Sequence, residues 1–185
     1  MRVLVVSGSP RVDGNTEVLV EEFRKTLTKK GHTSTYLHLY MGPIQACIHC
    51  DRCLDECPLP QDILTDVLKE ITRYDVIVIA SPIYFFGLTA KAKSFLDRLY
   101  MPNVKGELYN VMFASILVSG DNFHMGGADL VVKSLKRVCN YCDYKWLGCI
   151  FKETDDEKLP LSMKDRRNIS ELIEYMSNTE GLCQT

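Results

Sequence analysis

Hydrophobic positions along the chain fall into runs of two alternating kinds. Arg2–Ser7, Asp75–Ala80 and Asn110–Ser119 are short, nearly continuous apolar stretches, as expected for strands buried on both faces. Thr33–Leu39 alternates and is rich in strand formers, and Asp143–Phe151 reads as a fifth strand. Between them lie stretches with helical spacing. Thr16–Lys30 is amphipathic and stopped by Gly31; Gln61–Arg73 places Ile63, Leu64, Val67, Leu68 and Ile71 on one face. Leu88–Tyr100, Gly126–Cys139 and Met163–Ser177 complete the helices, with Met101–Gly106 and the charged Lys152–Pro160 as connections. This alternation predicts an α/β three-layer sandwich around a five-stranded parallel sheet. Five strands suit the doubly wound order 2-1-3-4-5. Its ligand site lies at the carboxyl ends of strands one and three, where the winding reverses. No repeat or linker interrupts the pattern, so residues 1–185 read as one domain.

Composition narrows the function classes. A net charge of −2 and the lack of a basic cluster argue against nucleic-acid binding. The longest mostly apolar stretch, Val111–Val118, is too short to cross a bilayer, and Met1–Val6 leads into a strand without signal-peptide architecture. A cytoplasmic protein with no membrane partner is the expectation. Eight cysteines in such a chain point to reduced thiols, metal ligands or redox centres rather than structural disulfides. Cys149 reads as core filler and Cys183 as part of a frayed tail. Cys139 and Cys142 form a C-x2-C pair that is weak evidence of a metal by itself.

The loop after strand one, Ser7-Gly8-Ser9-Pro10-Arg11-Val12-Asp13-Gly14-Asn15-Thr16, opens the first helix. A helix start with free N–H groups attracts phosphate, and Ser7, Ser9, Asn15 and Thr16 add donors. The P-loop lysine motif and the G-x-G-x-x-G fingerprint are both absent, so a single terminal phosphate such as that of FMN fits best. Arg11 adds charge or meets an incoming nicotinamide cofactor. The plainer alternative is a turn with Thr16 near a helix cap. After strand three comes Ser81-Pro82-Ile83-Tyr84-Phe85-Phe86-Gly87, whose three aromatics cannot all enter one core. At least one is expected to line the pocket, with backbone amides bonding the polar edge of an isoalloxazine; Phe85 and Phe86 alternatively pack under the third helix. After strand four, Ser119, Gly120 and the glycines Gly126 and Gly127 allow close backbone approach to a flat ring. His124 there is a substrate contact, a proton donor or simply solvated.

The run Cys47-x2-Cys50-x2-Cys53-x3-Cys57-Pro58 has the spacing of bacterial [4Fe–4S] sites. In two-cluster ferredoxins the fourth cysteine binds the other cluster; this chain has no second such run. Cys57 must therefore join the same cluster, or the fourth ligand comes from elsewhere. Metal-free cysteines and structural zinc are the alternatives. His49, inside the run, replaces a cysteine ligand or faces solvent.

Ser7–Arg11 with Gly14-Asn15-Thr16, and Ser81-Pro82-Ile83-Tyr84-Phe85 with Gly87 followed by Lys91–Arg98, resemble the NAD(P)H-dependent FMN reductases. The cysteine run resembles their iron–sulfur flavoprotein branch, with a shorter last spacing. The resemblance implies a flavodoxin-like fold and bound FMN. It places Ser9, Arg11, Asn15 and Thr16 near the phosphate and Pro82, Ile83, Tyr84 and Phe85 near the ring. It also implies homodimers or homotetramers. The expected function is an FMN-dependent oxidoreductase. With a cluster, the redox partner would be ferredoxin-like or a small oxidant. Without one, NAD(P)H would reduce FMN and a quinone or free flavin would reoxidise it. A flavodoxin-like carrier or redox sensor is the non-catalytic alternative. A hydrolase is disfavoured by the missing G-x-S-x-G and H-E-x-x-H motifs.

Overall fold

The computed structural model describes residues 1–154 and 160–180. Its elements in chain order are β1 (Arg2–Ser7), α1 (Asn15–Lys29), β2 (Thr33–His38), α2 (Ile63–Lys69), a 3-10 turn (Ile71–Arg73), β3 (Val76–Tyr84), β4 (Gly87–Leu88), α3 (Ala90–Arg98), α4 (Tyr100–Val104), β5 (Met112–Ser119), α5 (Ala128–Cys142), β6 (Lys145–Glu153) and α6 (Met163–Glu180). The sheet runs β2-β1-β3-β5-β6, every neighbour parallel, with β4 paired antiparallel to the end of β3. The expected winding order is therefore present, but the sheet has six strands, not five. The extra strand is a two-residue return of the chain after Phe86, too short to leave a periodic signal.

Alternation along the central strands separates two cores. Val3, Val5, Val76, Val78, Ala114 and Ile116 face Leu19, Phe23 and Leu27 of α1 and Ile169, Ile173 and Met176 of α6. Leu4, Val6, Ile77, Ile79, Phe113 and Leu117 face Leu64 and Leu68 of α2, Phe95 of α3 and Val131 and Leu135 of α5. Burial on both faces explains why these strands read as unbroken apolar runs. Helices cover both sides, which leaves the carboxyl ends of the strands as the place where loops meet.

The element boundaries differ where local chemistry overrides period. The 61–73 stretch is split: Asp62 caps α2 through Leu64 N–H, and the chain tightens into the 3-10 turn after Glu70. Met101–Gly106 is not a plain loop, since α4 occupies Tyr100–Val104. Its Pro102 sits in the first turn, where no intrahelical N–H bond is lost. β6 runs two residues past Phe151, to Glu153. Part of the Lys152–Pro160 connection, and Cys183, lie outside the described residues.

Candidate functional site

Loops from the carboxyl ends of β1, β3 and β5 enclose a cavity of about 390 Å3. Ser9, Arg11, Asp13, Gly14, Asn15 and Thr16 come from the first loop, Pro82, Ile83 and Tyr84 from the end of β3, and Val118, Ser119 and Gly120 from the end of β5. Thr154 closes the side next to β6. β1 lies between β2 and β3, so the cavity sits where the winding reverses.

The first loop is shaped by its own hydrogen bonds. Ser9 Oγ donates to the Arg11 carbonyl at 3.0 Å and accepts the Arg11 N–H at 3.2 Å, closing the turn. A Cβ on Gly8 would stand 2.6 Å from the Ala92 Cβ, so glycine lets the loop lie against α3. Thr89 Oγ1 donates to the Gly8 carbonyl at 2.7 Å and fixes that contact. Asn15 Nδ2 donates to Thr154 Oγ1 at 2.7 Å, tying the loop to the end of β6. The N-cap of α1 is Gly14, and no side chain caps the first turn. Its positive dipole end therefore favours an anion in the cavity beside the buried Thr16. An exposed Arg11 and an exposed Asp13 share the rim. This donor set at one end, with Pro82, Ile83 and Tyr84 at the other, fits a phosphate monoester joined to a flat ring.

Three expected site residues stand outside this cavity. Ser7 is buried beneath it. The Ser7 hydroxyl donates to Glu17 and accepts the Ser9 N–H at 3.2 Å, so it supports the loop from below. Glu17 also accepts the Tyr36 hydroxyl, and burial followed by that contact pushes the Tyr36 pKa far above its ordinary value. Phe85 and Gly87 belong to the tight turn between β3 and β4. Phe85 and Phe86 have φ of 47° and 62°, the left-handed pair of a type I′ turn. The Phe85 ring is fully exposed, while Phe86 lies against Gly127, where a Cβ would come within 2.8 Å of its ring. Of the three aromatics, Tyr84 lines the cavity. His124 is exposed on the loop before α5, 3.8 Å from Asp129. Sequence reasoning missed Thr154, because the continuation of β6 that delivers it has no apolar signature.

A second cavity, about 310 Å3, separates the cysteine loop from α3 and α4. Cys47, Cys50, Cys53 and Cys57 all line it, with Leu54, Leu59, Leu68, Met101 and Val104 around them and Arg98 at its wall. Burial, then the neighbouring Cys47, Cys50 and Cys57, push the Cys53 thiol pKa up. Among the described residues no group of three or more His, Cys, Asp or Glu is placed to hold a metal ion. A single zinc would need its four sulfurs about 3.8 Å apart, from tetrahedral bonds of about 2.3 Å. A cluster, being a larger body, holds its thiolates further apart. Cys47, Cys50, Cys53 and Cys57 line one hollow and do not converge on a single point. His49 is exposed and 3.5 Å from Asp51.

Cys139 and Cys142 line neither cavity. Cys139 is buried, and burial followed by the nearby Cys142 pushes its thiol up to about 12. The carboxyl end of α5 also disfavours a thiolate, so this pair has the environment of core residues. Cys149 is half-buried in β6, packed against the core.

Residues 1–144 match the family described as NADPH-dependent FMN reductase. The chain is 30% identical to an iron-sulfur flavoprotein of Methanocaldococcus jannaschii over 73% of this chain and 69% of that protein. The structure resembles a flavodoxin from the domain Archaea, with TM-score 0.60 and 12% identity over 97% of this chain and 99% of that one. It also resembles an FMN-dependent NADH-azoreductase from Bacillus anthracis in complex with FMN, with TM-score 0.63 and 16% identity over 96% and 98%. The fold is flavodoxin-like.

Proposed function

The chain belongs to the NADPH-dependent FMN reductase family, and we propose that it is an FMN-dependent electron-transfer oxidoreductase with a [4Fe–4S] cluster in its cysteine loop. One observation carries this reading: the loop that leads from β1 into the first cavity packs at Gly8 on the start of α3, and the end of α3 with α4 lines the four-cysteine cavity. Bound FMN would supply hydride acceptance from NAD(P)H and release of electrons one at a time, and a cluster would supply single-electron exchange.

The chain's own part is to bind and orient. The uncapped start of α1, Asn15 and Thr16 would hold the phosphate, with Arg11 at the rim adding charge or meeting the phosphates of NAD(P)H. Pro82, Ile83 and Tyr84 would flank the ring from the β3 side, and Ser119 and Gly120 from the β5 side. Ser7 would act indirectly, through the Ser9 N–H. Cys47, Cys50, Cys53 and Cys57 would ligate the cluster. No side chain is required as a nucleophile. A ferredoxin-like protein or a small oxidant would accept the electrons; a quinone or free flavin would serve if no cluster is present.

The single-domain organisation, a homodimeric or homotetrameric assembly and a cytoplasmic location belong to the same proposal. Exposed Phe85 and Phe86 beside the cavity support the assembly, and free thiols support the reducing compartment.

Titration of the flavin-free protein with FMN tests the reading, followed by NAD(P)H oxidation with a quinone, flavin or ferredoxin acceptor. One FMN bound per chain with steady turnover is expected. Bound FMN without turnover would favour the carrier alternative, and failure to bind FMN would remove the flavin reading.

A further inference from the structure

Residues 39–62 contain no helix or strand, yet their two ends are fixed together. Asp62 Oδ2 accepts the Gln45 N–H at 2.8 Å, so a residue two before the cysteine run meets one five after it. Arg98, at the end of α3, donates to the same Asp62 oxygen and reaches the Gln45 carbonyl at 3.5 Å. Asp62 and Arg98 are both more than nine-tenths buried. Upstream, Lys91 on the same helix donates to the Leu39 and Gly42 carbonyls at 3.1 and 2.9 Å. Between the fixed ends, a contact to the rest of the fold comes from Lys105 Nζ to the Asp55 carbonyl, 3.3 Å.

A buried ion pair is weak evidence for stability, because desolvating both charges offsets their attraction. Positioning is the better account here. The pair closes segment 46–61, which holds Cys47, Cys50, Cys53 and Cys57, and Arg98 itself lines the cavity they surround. Fixing the ends of a loop lowers the entropy lost when its interior side chains converge on a ligand. At its other end α3 is fastened to the ends of β1 and β3, whose loops line the first cavity, through Thr89 Oγ1 to the Gly8 carbonyl and Thr89 N–H to Ser81 Oγ at 3.2 Å. The helix spans nine residues, about 14 Å.

We infer that Asp62 and Arg98 are positioning residues that hold the cysteine loop in register with the flavin cavity, using α3 as a strut. The assembly of a metal centre in this loop rests on the function proposed above; the clamp itself does not.

The test compares the full chain with Arg98→Met and with Asp62→Leu/Arg98→Met. The single variant leaves a buried carboxylate without its cation, so the charge-free double variant covers a failure to fold. Two quantities are read: the rate of limited proteolysis within residues 46–61 of the metal-free protein, and iron, sulfide and FMN per chain after anaerobic reconstitution. The clamp predicts cleavage at least fivefold faster in the folded variants, iron reduced more than twofold and FMN retained. Folded variants cleaved at the parent's rate, or taking up iron as the parent does, would overturn it. If the parent itself takes up no iron, the cluster reading fails, while the cleavage rates still decide for or against the clamp.

Discussion

Side chains around the phosphate-type loop divide into those that line the cavity and those that hold the loop. Thr16 lines it and Ser7 does not. Thr16→Ala should therefore weaken FMN binding about tenfold or more, the scale of a lost hydrogen bond to a charged group. Ser7→Ala should weaken it only about two- to threefold, through the loosened Ser9 N–H. Equilibrium titration of both variants checks the ordering, and a larger effect from Ser7 would contradict this placement. Sequence reading assigned both residues to one class, because a serine at the end of a strand gives no sign of whether it points up or down. That depends on Glu17, ten residues later, which captures the Ser7 hydroxyl.

Asp62 carries a pH signature at the same scale. Burial opposes its ionisation, but the Gln45 N–H, the Arg98 guanidinium and the Leu64 N–H outweigh burial and hold its pKa below the usual value. A depressed folded pKa adds stability above the unfolded value of about 3.9, lost as pH falls through the folded pKa. Unfolding by urea at pH 7 and near pH 3 should show Asp62→Asn clearly less stable than the parent at neutral pH. The gap should narrow in acid, and a gap independent of pH would contradict the linkage.

Elements whose residues act through burial were legible from the pattern alone. β1, β3 and β5 were found because both faces are apolar, and α1 because Leu19, Phe23 and Leu27 repeat on one side. Elements made by single local contacts were not. The start of α2, the α4 turn and the β3–β4 return involve a cap, a proline and two left-handed residues. Phe85 and Phe86 occupy backbone space that suits asparagine and glycine. Because the Phe85 ring makes no buried contact, Phe85→Asn should raise stability by about 1 kcal/mol. Thermal unfolding measures this, and a loss of similar size would show that the exposed ring does structural work.

For the whole molecule, the winding order places both candidate centres. The reversal of winding between the adjacent strands β1 and β3 opens the first cavity, and the long excursion between β2 and α2 carries the cysteines to the flank of α3 and α4. The strand order and the four cysteines were legible, the first from alternation and the second from spacing. The hollow between the thiols was not, since it depends on the Asp62–Arg98 contact across the fold. No helix among the described residues is long and apolar enough to cross a membrane.

The most direct measurement is the absorption spectrum with iron, sulfide and flavin content of protein purified without oxygen. One FMN per chain, with about four iron and four sulfide and a broad shoulder near 400 nm, is the predicted result. One FMN with no iron would contradict the cluster and leave a flavin reductase. Neither flavin nor iron, even after FMN is added, would contradict the account as a whole.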